Sequence, residues 1–158
     1  MKESVKKPYI LYVGNDYPHK NLERLKLAFK KIKQEGLDYE LLLITKFVSE
    51  EELDNLYKNA ILYVCPSLSE GFGLPPLEAM ARGVPVVSSN AACLPEILGE
   101  AAFYFNPLDI NDIAGKIKKT LLDNRARNTL IEKGFEQVKK YSWQKMAKEI
   151  LNIYQNIS

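Results

Sequence analysis

Short apolar runs that alternate with longer stretches of helical periodicity constrain this chain more than anything else in it. Tyr9–Val13 reads YILYV, residues 40–45 hold LLLI, residues 61–65 read ILYVC, residues 84–88 read VPVVS, and Ala102–Phe105 reads AFYF. Between the first two runs, Leu22, Leu25, Ala28, Phe29 and Ile32 recur at helical spacing, and Gly36 supplies a stop. Ser49 and Glu52 form a capping box for a helix expected to reach about Asn59. Pro75 and Pro76 open another, closed by Gly83, since a proline in the first turn lacks only an N–H that had no partner. Three last helices are expected to start near Asp109, Asn124 and Ser142. Strand and helix in strict alternation build a parallel sheet covered by helices. The expectation is therefore one α/β domain over 1–158, Rossmann-like, three layers deep, with a parallel sheet of about five strands.

Composition narrows the function classes. A net charge of +2 is too small to argue for nucleic acid. The lysine clusters (Lys30, Lys31 and Lys33; Lys116, Lys118 and Lys119; Lys139 and Lys140) fall on predicted helices and are interleaved with core positions, as on a solvated face. A weak attraction to an acidic membrane surface stays open. Cys65 and Cys93 have neither metal-type spacing nor a disulfide framework, and Cys65, ending an apolar run, reads as core. No signal peptide is evident, and no apolar stretch approaches the ~20 residues of a membrane span. The default setting is cytoplasmic.

Parallel sheets bind ligands beyond the carboxyl ends of their strands, and two loops there carry chemistry. In the first, residues 14–21 (GNDYPHKN), Gly14 allows close backbone approach and Lys20 sits at a helix entrance, where free N–H groups and the dipole favour anions. Taken alone, such a lysine is most often surface. In the second, residues 69–78 (SEGFGLPPLE), Gly71 and Gly73 bracket Phe72, so backbone amides can turn toward a ligand. Glu70 precedes the turn and Glu78 lies one turn into the helix, so both carboxylates can face one pocket and accept from sugar hydroxyls. A glycosidase-like acid/base pair would need both carboxyls to flank one bond, which a helix-borne Glu78 beside an anion-type loop does not suit. His19, the single histidine, has no arranged metal partners, and Tyr17 is a modest candidate for lining the pocket.

The run SEGFGLPPLEAMARGVPVVSSN, followed by LPEILGEAAFYFNP, resembles the hallmark segment of the family 4 glycosyltransferases of GT-B fold. The opening YVGNDYPHKNL and the closing YSW are similar as well. Glu70 and Glu78 match the family's EX7E motif, two glutamates separated by seven residues. The resemblance implies a donor-binding domain of a retaining hexosyltransferase that needs no metal and no cofactor beyond its sugar-nucleotide substrate. It gives Glu70 the hydroxyls of the donor sugar and Glu78 those of the ribose. Gly71, Phe72, Gly73 and Leu74 contribute amides toward sugar and diphosphate, Gly14 and Asn15 line the site, and Lys20 neutralises the leaving diphosphate, as a divalent cation does elsewhere. Glu70 and Lys20 are thus the catalytic candidates. The GN…P-K-N version resembles a subgroup associated with mannose transfer, so GDP-mannose is the favoured donor and a glycan or lipid-linked acceptor the expected partner.

Two departures stand out. Relatives often place an arginine where Asn15 stands, and Arg82, at the far end of its helix, is a poor substitute. Relatives also insert a helix and a strand where only Lys46 separates Thr45 from Phe47. Either the domain has a five-stranded sheet, or a segment has been removed from it. The amino-terminal acceptor domain of the family is not matched by this chain, so the domain is expected to be inactive alone. A last helix around Trp143 would cross back toward that domain, with Ile150, Leu151 and Tyr154 exposed or packed on their own domain. Glu96, after Leu94-Pro95, resembles the family's LPE turn and reads as structural, with a role beside the nucleotide base as the alternative. The alternative function is a non-catalytic nucleotide-binding subunit pairing with a separate acceptor-domain partner, and a weaker one is a sugar-nucleotide epimerase of the same fold.

Overall fold

The computed structural model describes residues 7–142, together with Lys148, Leu151, Asn152 and Gln155. Five strands, β1 (Tyr9–Val13), β2 (Glu40–Ile44), β3 (Leu62–Cys65), β4 (Val86–Ser89) and β5 (Ala102–Phe105), form one parallel sheet in the order β2-β1-β3-β4-β5. The helices α1 (Leu22–Gln34), α2 (Glu50–Asn59), α3 (Leu74–Ala81), α4 (Leu94–Leu98), α5 (Ile110–Leu122) and α6 (Asn124–Val138) connect and cover them. Successive strand residues point to opposite faces, so the sheet feeds two cores. On one face Leu11, Tyr63 and Val86 pack with Tyr57 of α2, Leu77 and Met80 of α3, and Leu94 and Leu98 of α4. On the other, Ile10, Tyr12, Val64, Val87 and Phe105 pack with Leu25, Ala28 and Ile32 of α1 and with Ile113, Ile117 and Leu121 of α5. This is the expected three-layer Rossmann-like domain.

The helix ends follow the capping rules. Ser49 Oγ accepts from the Glu52 amide, Asp109 accepts from the amides of Asn111 and Asp112, and Asp123 accepts from that of Ala126. β4 begins at Val86 rather than Val84, because the Val84 amide donates to Ala79 O and completes the turn that ends α3 at Gly83. The LPE segment is not a simple turn. It forms the short helix α4, with Pro95 in its first turn and Glu96 exposed. Of the last expected helix, Leu151 is exposed, and Trp143, Ile150 and Tyr154 lie outside the described residues. Among the described residues no helix is long and apolar enough to cross a membrane.

The chain passes from β2 to α2 through residues 45–49 alone, which leaves β2 at the sheet edge. Its first residue is exposed and the other four are half-buried, whereas β3 and β4 are buried throughout.

Candidate functional site

β1 is followed by a connection to β2 on one side, and β3 by a connection to β4 on the other. The crevice between their carboxyl ends is therefore the topological switch point, where open α/β sheets bind ligands. The two loops singled out in the sequence leave these two strands. Pro18–Lys20 makes a single 3-10 turn, and Asn21, in the left-handed region at φ 61°, starts α1. The Leu68 amide donates to His19 O at 2.7 Å and ties the second loop to the first. Asn21 reinforces the tie, its Nδ2 donating to Pro66 O (3.0 Å) and Pro107 O (2.8 Å).

This framework brings Lys20 and Glu70 together across 50 residues of sequence. Lys20 Nζ donates to Glu70 Oε1 at 2.7 Å, and the two side chains retain 14% and 15% of their exposure. The same carboxylate oxygen accepts from Ser67 Oγ at 2.7 Å. From below, Cys93 Sγ donates to Glu70 O at 3.2 Å. An ammonium carries three donors, and Glu70 occupies one of them. Among the described residues the amides of Gly71, Phe72, Gly73 and Leu74 donate to no protein acceptor, so four consecutive donors stand beside the Lys20–Glu70 pair. The α3 N-terminus adds less than an ordinary helix end would, because Pro75 and Pro76 have no N–H.

The two glycines of this loop differ. Gly73 has φ 89°, and a Cβ there would come within 2.9 Å of Leu94 Cδ2. Gly71 has ordinary φ and open space around it, so its backbone does not demand glycine. At Gly14 (φ 152°), what comes close is the Tyr12 hydroxyl, 2.7 Å from the position of a Cβ, which donates to Asn15 O. Gly14 therefore also has an intramolecular reason to be glycine. Asn15 and Tyr17 are exposed at the rim, and the Tyr17 ring leans toward His19 at 6.1 Å. Phe72, 40% exposed, meets the Tyr141 ring edge-on at 5.5 Å.

Glu78 is held differently. Tyr57, fully buried on α2, donates its hydroxyl to Glu78 Oε2 at 3.0 Å, and burial with the neighbouring carboxylate pushes that phenol far above its usual range. Arg82 stacks over the Tyr57 ring and donates to Asp54 (2.8 Å) and Glu78 O (3.1 Å). It braces α2 against α3, away from Lys20. Ser67, Tyr57 and Cys93 were not found by sequence reasoning. The only available signal was the Ser67–Glu70 spacing, which is common in loops. Two surface concavities, lined in part by Glu100 and Lys133, lie near Gly99–Ala101 at the opposite end of the sheet. Among the described residues no His, Cys, Asp and Glu side chains gather as metal ligands would.

Fold and site together define a Rossmann-like domain whose switch point sets Lys20 against Glu70, with a second carboxylate, Glu78, on the neighbouring helix α3. Residues 40–137 match the family model described as glycosyl transferases group 1, and the chain belongs to that family. It is 34% identical over 172 residues to O-antigen chain mannosyltransferase B of Escherichia coli, covering 92% of this chain and 45% of that protein. It is 38% identical over 125 residues to the serotype-specific mannosyltransferase WbdA of Escherichia coli, covering 79% of this chain and 15% of that one. Among solved structures, sucrose-phosphate synthase from Thermosynechococcus elongatus superposes with a TM-score of 0.78 at 25% identity, over 96% of this chain and 46% of the other. The chain thus spans less than half the length of these relatives. The aligned span with mannosyltransferase B exceeds this chain's 158 residues, so that relative carries residues absent here.

Proposed function

We propose that the chain is the donor-binding domain of a family 4 hexosyltransferase that takes mannose, with retention of configuration, from GDP-mannose. The acceptor, a glycan or a lipid-linked sugar, would be held by a separate amino-terminal Rossmann-like domain. The observation that carries this reading is the meeting of Lys20 and Glu70 at the switch point, beside the free amides of loop 71–74. As the bond from sugar to diphosphate breaks, negative charge grows on the phosphate oxygen. A poised ammonium and backbone N–H groups stabilise that charge, and losing one such donor costs about 10²–10³ in rate. Glu70, fixed by Lys20 and Ser67, presents its remaining lone pairs to sugar hydroxyls, and Glu78, oriented by Tyr57, presents its own to the ribose. With Asn15 in the place of a second cation, Lys20 carries the diphosphate charge almost alone, and no metal ion is required in this scheme. Two mannosyltransferases among the relatives support the choice of sugar.

The test is isothermal titration of the folded chain with GDP, UDP, ADP and GDP-mannose, beside Lys20→Ala. The expected result is selective binding of GDP and GDP-mannose, weakened at least about tenfold by the substitution, the loss of one charge-assisted contact. Absence of binding by all four at millimolar concentration, in a chain that circular dichroism shows to be folded, would overturn the reading.

A further inference from the structure

The outer edge of β2 has a geometry that does not involve the donor site. Glu40 N donates to Pro8 O and Gly14 N donates to Ile44 O, so the even-numbered residues of β2 turn their backbone groups toward β1. Strand residues alternate, so Leu41 and Leu43 turn their N–H and C=O outward. Among the described residues nothing pairs with them. Edges of this kind are normally blunted by charge, proline or a covering element. Here the strand itself carries one charge, Glu40, and Phe47 stands just beyond it, 97% exposed.

We propose that this edge pairs, antiparallel, with the same edge of a second copy of the chain, on a two-fold axis through Leu42. In that register Leu41 lies opposite Leu43 of the second copy, and Leu43 opposite its Leu41. Each of these pairs exchanges both N–H···O bonds, as the hydrogen-bonded pairs of an antiparallel ladder do, while the two Leu42 residues form the non-hydrogen-bonded pair between them. Opposed residues share a face. Leu41 and Leu43, which already pack against the α1 and α5 core, therefore join that core across the axis, and the two Leu42 side chains meet on the other face. Carried outward as far as the bend at residue 46, the register sets Lys46 opposite Asp38, a cation on an anion. Asp38 retains its bond to Lys7 (2.9 Å) on the β1 side. A register shifted by two residues would leave part of Glu40–Ile44 unpaired, so the Leu42-centred one alone uses the whole strand. A closed two-fold contact also removes the edge from further pairing.

Sedimentation velocity over micromolar to submillimolar concentrations tests this, with hydrogen exchange followed residue by residue. The full chain is expected to reach the mass of two copies. The amides of Leu41 and Leu43 should gain protection as concentration rises, while that of Leu42, already turned to β1, keeps its protection. Leu43→Pro removes an outward N–H that β1 does not use, and Phe47→Asp places a charge just beyond the edge on a side chain that is 97% exposed. Both variants should sediment as one copy, with the parent's circular dichroism and nucleotide affinity. A single-copy mass at every concentration, a dimer that survives both substitutions, or Leu41 and Leu43 exchange that ignores concentration would each overturn the proposal. Should Leu43→Pro fail to fold, Phe47→Asp and the exchange pattern decide alone.

Discussion

Gly71 and Gly73, two residues apart, are glycine for different reasons, and single methyl groups separate them. Gly73 sits at φ 89° with Leu94 Cδ2 in the way of a Cβ. Left-handed backbone costs a non-glycine residue about 1–2 kcal/mol, and the clash with a fully buried leucine adds to it. Gly73→Ala should therefore destabilise the domain by about 2–3 kcal/mol in urea melts. Gly71→Ala meets neither obstacle and should leave stability within about 0.5 kcal/mol, the range of neutral surface changes. Equal melts for the two variants would refute the distinction. At this scale the candidate site was half legible. Lys20, Glu70 and Glu78 announce themselves by residue type at fixed spacing beside glycines. Ser67, Tyr57 and Cys93 do not, because each acts through a contact that folding makes: a serine in a loop, a tyrosine on the core face of α2, a thiol at the start of α4. At Gly14, where the sequence suggested close approach of a ligand to the backbone, folding adds a second reason for glycine, since a Cβ would meet the Tyr12 hydroxyl at 2.7 Å.

Between elements, the site depends on loops being fastened to one another more than on any helix end. Asn21 joins the start of α1 to the loop after β3 and to the loop after β5, and its Oδ1 accepts from Arg24 at 3.0 Å. It is 5% exposed and its backbone is left-handed. Asn21→Ala leaves two buried carbonyls without donors and places alanine at φ 61°. The expected loss is about 3–5 kcal/mol, of which Asn21→Gly should recover the backbone share of about 1 kcal/mol. Nucleotide binding should fall in both, because both unfasten Lys20 from the Glu70 loop. Unchanged stability in either variant would show that the loops are held by other means. The elements themselves were largely readable, since buried parallel strands and amphipathic helices have different periods. The misreadings sit where a backbone group has two possible partners. Val84 looked like strand, but its amide completes the end of α3. A helix as short as α4 shows too little periodicity to separate it from a turn.

For the molecule as a whole, strand order was the part that sequence could not supply, because alternation of strand and helix is compatible with several orders. The order β2-β1-β3-β4-β5 leaves β2 at the edge and puts the loops after β1 and β3 side by side. The same tight sheet buries an unusual set of weak acids. Burial raises the hydroxyls of Tyr9, Tyr12, Tyr57 and Tyr63 above their ordinary range, pushes Tyr104 up to about 12, and pushes the Cys65 thiol up to about 11. These groups are neutral in the folded state, and the phenols among them donate to protein acceptors such as Leu56 O, Val13 O and Gly99 O. In the unfolded chain the same groups ionise from their ordinary values of 9.0 for the thiol and 10.0 for the phenols. Their stabilising contribution is therefore complete below about pH 9, and it drains away as pH rises through the raised folded values. On the acid side Asp38, Asp54 and Glu100 are lowered by Lys7, by Lys58 and Arg82, and by Lys133 respectively; the first and last pairs are exposed and Asp54 is only partly covered, so together they add little. The stability profile should accordingly be flat through neutral and mildly acid pH and fall steeply above about pH 10. Phenolate absorbance followed together with far-ultraviolet circular dichroism checks this. The buried tyrosines should ionise in one cooperative step that coincides with loss of the fold. Their smooth titration near pH 10 with the dichroism intact would mean that water reaches the sheet, and that the packing described for the two cores does not hold in solution.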